Sequence, residues 1–146
     1  MRVLGVDYGD RHVGLALSDV LQMIAQPLGT YHLQARDEDN RRYFRDLVRD
    51  QAVGRIILGL PLRMDGTSGS RVEKTREFAA WLEKTTAVPV EFWDERLTTH
   101  QALRSVQEQK IKVKNKRAAV NQIAAVIILQ GYLESRPPNE TPLPSD

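Results

Sequence analysis

The chain opens with MRVLGVDYGDRHVGLALSD, residues 1–19, and this stretch decides the fold. Val3 to Val6 is a short apolar run that ends at Asp7-Tyr8-Gly9, which is typical of a strand meeting a tight turn. Between His12 and Asp19 every second residue is a large apolar one: Val13, Leu15 and Leu17. A period of two predicts a second strand, and the short connection between the two strands predicts a hairpin.

Farther along the chain, apolar strands alternate with amphipathic helices. The predicted elements are a strand over 27–33, a helix over 40–51, a strand over 55–60, a helix over 70–84, a strand over 88–93, a helix from Thr98 or Thr99 to 107, and a helix over 118–134. This order predicts an α/β fold with a mixed sheet, in which three antiparallel strands are followed by two parallel strands. Helices are expected on both faces of that sheet.

Length and composition indicate a single globular domain over residues 1–134. The remaining residues, 135–146, contain four of the seven prolines and no apolar pattern, so we expect a disordered tail. The chain has no cysteine, which excludes a disulfide scaffold, a thiol nucleophile and a cysteine-ligated metal site. Neither a membrane helix nor a secretory signal is visible, which favours the cytoplasm.

Acidic residues follow two of the predicted strands. Asp7 ends the first strand, and the pair Asp94-Glu95 ends the last one. In an open α/β sheet, sites gather where neighbouring parallel strands end. Carboxylates there suit Mg²⁺ or Mn²⁺, and two such ions can cleave a phosphodiester. Gly9 would let a phosphate backbone come close, although an aspartate near a glycine is also ordinary turn chemistry.

Basic residues accompany this acidic edge. Residues 104–117 contain six basic side chains and one acid, Glu108, and Arg71 begins a predicted helix. Such residues suit contacts to nucleic-acid phosphates, although a solvated surface loop is the simpler alternative. The net charge of +2 permits but does not require a nucleic-acid partner. The candidate phosphate-binding residues are Arg11, Arg63, Lys110, Lys112, Lys114, Lys116 and Arg117.

Two other kinds of site are not expected. The loop over 61–69 opens a helix and could bind an anion, but it lacks the Gly-Lys-Ser/Thr ending of a nucleotide-binding P-loop. The three histidines have no ligand-like spacing, which argues against zinc.

Four segments together resemble the YqgF/RuvX family. They are VDYGDRHVGLALSD (6–19), LGLPLRMDGTSG (58–69), DERLTT (94–99) and VNQIAAVIILQGYL (120–133). The resemblance implies an RNase H-like fold and kinship with RuvC-type Holliday junction resolvases. It further implies a metal-dependent nuclease that processes the 5′ end of pre-16S ribosomal RNA, with Holliday junction DNA as another substrate. Homodimer formation is left open.

Through this resemblance, Asp7 and Glu95 match two acidic metal ligands of the family, for Mg²⁺ or Mn²⁺. The third acid of the family is an aspartate before Gln-Ile-Ala-Ala, and this chain has Asn121 there. Asparagine offers a carbonyl oxygen but no charge, so we expect impaired cleavage with substrate binding retained. Asn121 would then be an Asp→Asn change made to disable the enzyme, or a natural loss. A third option is that Asp94 supplies the charge, although strand alternation would point it the other way.

Two rival functions remain. A binding module would hold RNA or a pre-ribosome without cutting it, and Asn121 favours this reading. An actin-like or sugar-kinase-like ATPase also carries Asp-x-Gly after its first strand, but such folds normally need two domains of this kind.

Most of the large aromatic and apolar residues are predicted to lie in the core. Trp81 and Trp93 are expected in the core, whereas Tyr8 is a candidate for base stacking. The last helix is expected to pack on the sheet through Val120, Ile123, Ala124, Ile127, Ile128 and Gly131.

Overall fold

The computed structural model describes residues 1–61, 69–97 and 116–136, and for residues 116–121 the backbone alone. The described strands are β1 (Arg2–Tyr8), β2 (His12–Ser18), β3 (Ala25–His32), β4 (Val53–Leu60) and β5 (Val90–Asp94). The described helices are α1 (Asp37–Asp50), α2 (Ser70–Thr86) and α3 (Lys116–Ser135), and a short 3-10 turn, Glu95–Leu97, follows β5. Within these ranges, no helix is both long and apolar enough to span a membrane.

The five strands form one mixed sheet in the order β3-β2-β1-β4-β5. The pairs β1–β2 and β2–β3 are antiparallel, and the pairs β1–β4 and β4–β5 are parallel. The predicted fold class is therefore confirmed. The helix predicted from Thr98 or Thr99 to 107 lies outside the described residues, as does the tail beyond Arg136.

Helices α1 and α2 cover one face of the sheet. The core on this side joins Leu4 and Val6 of β1 to Phe44 of α1 and to Phe78 and Leu82 of α2. Burial of these side chains follows the helical spacing in the sequence, because every third or fourth residue of each helix turns toward the sheet. Trp81 is half-buried and packs against the same core, as expected.

Helix α3 covers the opposite face and lies very close to the sheet. A Cβ placed on Gly5 of β1 would lie 2.6 Å from Leu129 Cβ and 2.9 Å from the Ala125 carbonyl oxygen. A Cβ on Gly59 of β4 would lie 2.4 Å from Ile128 Cδ1. The helix therefore rests directly on the backbone of the two central strands.

The expected contact face of α3 is confirmed in part. Ile128 and Gly131 are buried, and Ile123 and Ile127 are half-buried but pack against the core on this side. Ala124 is half-buried, and the prediction missed four buried side chains: Ala125, Val126, Leu129 and Leu133. The side chain of Val120 lies outside the described residues. Almost every residue from 123 to 129 is apolar, so the sequence pattern carries little information on the helix's rotation. The rotation of α3 is fixed by its close contacts with Gly5 and Gly59, where the missing side chains leave room for Leu129 and Ile128.

This close approach predicts that a single methyl group at Gly5 destabilises the protein. Gly5→Ala should lower the free energy of unfolding by about 1–3 kcal/mol, because the new Cβ must displace helix backbone and Leu129. Gly54→Ala is the matched control, because the nearest atom there is Sδ of the flexible Met1 side chain. Denaturant titration of both variants measures the difference, and equal losses would contradict a tight helix–sheet contact.

Candidate active site

Alternation along β1 sends its last two side chains to opposite faces of the sheet. Tyr8 turns toward α2, where its ring stacks on Phe78 with 4.2 Å between the centroids. Asp7 has the same parity as Gly5 and therefore lies on the face covered by α3. In the register of β1 with β2, Asp7 lies opposite Gly14.

Glu95 lies on the same face of the sheet as Asp7, although it follows the edge strand β5. It begins the 3-10 turn after β5, and its Cγ would lie 3.2 Å from a Cβ on Gly59. Gly59 therefore leaves room for the Glu95 side chain above the middle of the sheet. The negative charge of Glu95 helps to raise the pKa of Asp7, which shows that the two carboxylates interact.

Helix α3 brings Asn121 to this end of the sheet. Gln130 Oε1 accepts a hydrogen bond of 2.8 Å from the Ala25 amide at the start of β3, and Gln122 Nε2 donates one of 3.2 Å to Thr30 Oγ1 near its end. The helix thus runs opposite to β3 and β1. Asn121, the neighbour of Gln122, therefore has its backbone near the end of β1, although its side chain lies outside the described residues.

Arg71, in the first turn of α2, is the main basic residue that the structure adds to this edge. Its guanidinium donates 2.6 Å hydrogen bonds to the Tyr8 carbonyl oxygen and to Asp10 Oδ1. Its positive charge opposes the rise in the pKa of both Asp7 and Glu95. The sequence showed a basic residue after a glycine-rich loop, but no local pattern links residue 71 to residues 8 and 10.

Partial burial changes the protonation of both carboxylates. Burial raises the pKa of Asp7 to about 7, with a further contribution from the charge of Glu95. Burial likewise raises the pKa of Glu95. Both side chains are half-buried, so water only partly solvates their charges. A cation bound between them would relieve this cost, and hard carboxylate oxygens are suitable ligands for Mg²⁺ or Mn²⁺.

Asp94 is engaged elsewhere. Its carboxylate accepts hydrogen bonds from the Arg96 backbone amide and from the Arg96 guanidinium, and the latter holds the pKa of Asp94 below its usual value. Among the described residues, no group of three His, Cys, Asp or Glu side chains could hold a metal ion. Asp94 therefore does not complete a three-carboxylate cluster with Asp7 and Glu95.

The structure describes few of the candidate phosphate-binding residues. Arg11 is exposed in the turn between β1 and β2, next to the carboxylate edge. Lys116 and Arg117 start helix α3, which is described there by its backbone alone. The remaining candidates lie outside the described residues: Arg63, Lys110, Lys112 and Lys114.

Solved structures of Holliday junction resolvases share this fold. The T. thermophilus RuvC in complex with a Holliday junction substrate superposes with a TM-score of 0.60 at 15% identity, covering 90% of this chain and 91% of RuvC. The yeast mitochondrial Holliday junction resolvase Ydc2 gives a TM-score of 0.53 at 14% identity, covering 90% of this chain and 77% of Ydc2. At such low identity, the similarity shows the fold alone.

Sequence relatives are much closer. A protein of Acetivibrio thermocellus named "Putative pre-16S rRNA nuclease" is 47% identical over 137 residues, covering 93% of this chain and 97% of the relative. A protein of Koribacter versatilis with the same name is 43% identical over 135 residues, covering 92% and 88%. The profile of the RuvX family, described as Holliday junction resolvase, matches residues 1–135. The chain therefore belongs to the RuvX family of Holliday junction resolvase-like nucleases.

Proposed function

We propose that this protein is a metal-dependent nuclease that hydrolyses phosphodiester bonds in structured nucleic acid. Its proposed substrate is the 5′ region of precursor 16S ribosomal RNA, in the cytoplasm, with Holliday junction DNA as a second substrate. The observation that carries the proposal is the meeting of Asp7 and Glu95 at the strand ends, half-buried and beside the same face of the sheet. The names of the relatives supply the RNA substrate, and the RuvC complex supplies the DNA junction.

Asp7 and Glu95 are the proposed catalytic carboxylates and metal ligands, with Asn121 at the third ligand position. Their hard carboxylate oxygens, held together in a half-buried position, fit Mg²⁺ or Mn²⁺. Ions of this kind, when bound, supply an activated water and stabilise the departing oxygen of the phosphodiester.

The protein's own groups would keep the carboxylates ionised and hold the substrate. Arg71 favours the charged forms of Asp7 and Glu95 and fixes the turn that follows β1 through the Tyr8 carbonyl oxygen. Contacts to the nucleic-acid backbone are proposed for the basic residues around this edge: Arg11, Arg63, Lys110, Lys112, Lys114, Lys116 and Arg117. We further propose that residues 1–134 act as one nuclease domain.

Asn121 is proposed to impair cleavage, because it removes one negative charge from a site with few carboxylates. A loss of about 3–4 kcal/mol in transition-state stabilisation would lower the rate by roughly 10²–10³. The same residue favours one alternative, a module that binds RNA or a pre-ribosome without cutting it.

One prediction concerns cleavage and position 121. Asn121→Asp should raise metal-dependent cleavage by roughly 10²-fold or more, because it restores a charged ligand. The assay compares both proteins on labelled precursor 16S RNA and on a four-way DNA junction, with Mn²⁺, Mg²⁺ or chelator.

Two further variants make this test specific. Adding Asp7→Asn to Asn121→Asp should abolish the gained cleavage. Adding Asp94→Asn to Asn121→Asp should preserve the gained cleavage. The Asp94 carboxylate pairs with Arg96, so we do not expect it to bind the metal ion. If neither the parent chain nor Asn121→Asp cuts either substrate while both bind RNA, the nuclease proposal fails and the binding module replaces it.

Another prediction concerns the pH dependence of stability. Because the pKa of Asp7 is about 7 in the folded protein against an ordinary value of 3.8, the native state binds this proton more tightly than the unfolded chain. Stability contributed by the protonated form is therefore complete below about pH 4 and lost as the pH rises through 7. In chelator, Asp7→Asn should raise the free energy of unfolding by about 2–4 kcal/mol at pH 8 and change it little at pH 4.

Denaturant titrations at the two pH values measure this difference. Asp50→Asn is the control, because its carboxylate is exposed at the end of α1 and should affect stability little at either pH. Added Mg²⁺ should stabilise the parent chain more than Asp7→Asn. An Asp7→Asn effect that is equal at pH 4 and pH 8 would contradict the assigned pKa.

A further inference from the structure

A cavity of about 650 Å³ opens at the end of β1, on the face of the sheet opposite to Asp7. Its walls come from the end of β1, the segment that enters α1, the first turn of α1 and one side of α2. The volume lies within the range of about 300–1,000 Å³ that is usual for small-ligand sites. The cavity plays no part in the carboxylate chemistry described above.

Aromatic side chains form one wall of this cavity. Tyr8 stacks on Phe78 with 4.2 Å between ring centroids, and Phe78 stacks on Trp81 with 5.5 Å between them. Trp81 Nε1 donates a 2.9 Å hydrogen bond to Asp37 Oδ1, which ties the wall to the start of α1. Arg71 lies over the outer face of the Tyr8 ring and Arg41 over that of Trp81, so the rings present their edges as a rigid apolar side of the cavity.

Hydrogen-bond acceptors dominate its polar lining. Asp10, Asp37 and Glu77 contribute carboxylates, whereas Lys74 is the one basic side chain among the lining residues. Arg71 pairs with Asp10, and Arg41 pairs with Asp37. With both ion pairs formed and Lys74 beside Glu77, the described charges around the cavity are close to balance. The carboxylates and amides of the lining suit hydroxyl and amino groups, which donate hydrogen bonds.

The cavity and the carboxylate pair occupy the two faces of one strand end. Tyr8 lines the cavity, and the preceding residue, Asp7, faces α3. Arg71 lies beside both, since it contacts the Tyr8 carbonyl oxygen and acts on the charge of Asp7. A nucleic-acid strand that crosses the turn after β1 could therefore present a phosphate to one face and a neighbouring nucleoside to the other.

Building on the proposed nuclease function, we propose that this cavity binds one unpaired ribonucleoside of the RNA substrate. The base lies against the ring edges of Tyr8, Phe78 and Trp81. The base amino group and the ribose hydroxyls donate to the acceptors on the rim, Glu77 among them. A ribose 2′-hydroxyl is the group that distinguishes RNA from DNA at a contact of this kind. The cavity would thus favour RNA over DNA and select an unpaired nucleotide beside the cleaved bond.

The test uses Trp81 as a reporter of the cavity. The chain has two tryptophans, so Trp93→Phe leaves Trp81 as the sole one. In chelator, which prevents cleavage, a precursor 16S RNA fragment with an unpaired segment should change the Trp81 fluorescence. DNA of the same sequence should change it much less. Anisotropy of a distant label on each nucleic acid measures binding independently of the cavity.

Glu77→Gln and Glu73→Gln form a matched pair of variants. Both replace an exposed acid on α2 by its amide, but only Glu77 lines the cavity. Glu77→Gln should weaken RNA binding by about tenfold, because it removes a charged acceptor, and should leave DNA binding almost unchanged. Glu73→Gln should leave the preference for RNA intact.

The possible outcomes separate this inference from the nuclease proposal. RNA that binds without changing Trp81 fluorescence, or equal effects of the two glutamate variants, would overturn the cavity assignment and leave the nuclease standing. A Trp81 response to RNA without cleavage by Asn121→Asp would support the cavity and overturn the nuclease. If a basic peptide changes Trp81 fluorescence and RNA does not, the cavity belongs to a protein partner and the inference fails. Failure to bind any RNA would overturn both.

Discussion

The close approach of α3 to the sheet at Gly5 and Gly59 is the constraint on which the rest of the site depends. A side chain at either glycine would collide with the helix. Because the helix lies so near the backbone, Gln122 and Gln130 reach opposite ends of β3 and fix its direction. The same gap at Gly59 receives the Glu95 side chain. The absence of a side chain at Gly59 therefore permits both the packing of α3 on the sheet and the position of Glu95.

The acidic edge illustrates a conflict between packing and charge. The fold holds Asp7 and Glu95 in a half-buried position, where desolvation and mutual repulsion raise the pKa of Asp7. Arg71 opposes this rise only in part. Proteins keep such unfavourable charges mainly where function requires them, and perturbed carboxylates in a cleft are typical of functional sites. The geometry of the edge and the direction of these pKa shifts together support the proposed nuclease site.

A single strand end connects two different environments. Because consecutive side chains of β1 point to opposite faces, Asp7 belongs to the α3 side and Tyr8 to the α2 side. Arg71 couples the two sides through the Tyr8 carbonyl oxygen and the charge of Asp7. In the proposed function, cleavage takes place on the face of Asp7 and nucleoside binding on the face of Tyr8. Both faces then adjoin the same short turn, which begins at Gly9.

Sequence alone determined the order of the described strands and helices and the mixed sheet, because periodicity is a local pattern along the chain. The family motifs also led to the prediction that Asp7 and Glu95 are site residues. The resemblance also predicts that Asn121 departs from the family pattern, and the relatives confirm the family. Tertiary structure decided the rotation of α3, the contacts of Arg71 and the cavity beside Tyr8. These features arise from contacts between residues far apart in the chain, and an almost uniformly apolar helix or a lone arginine carries no local signal of its distant partner.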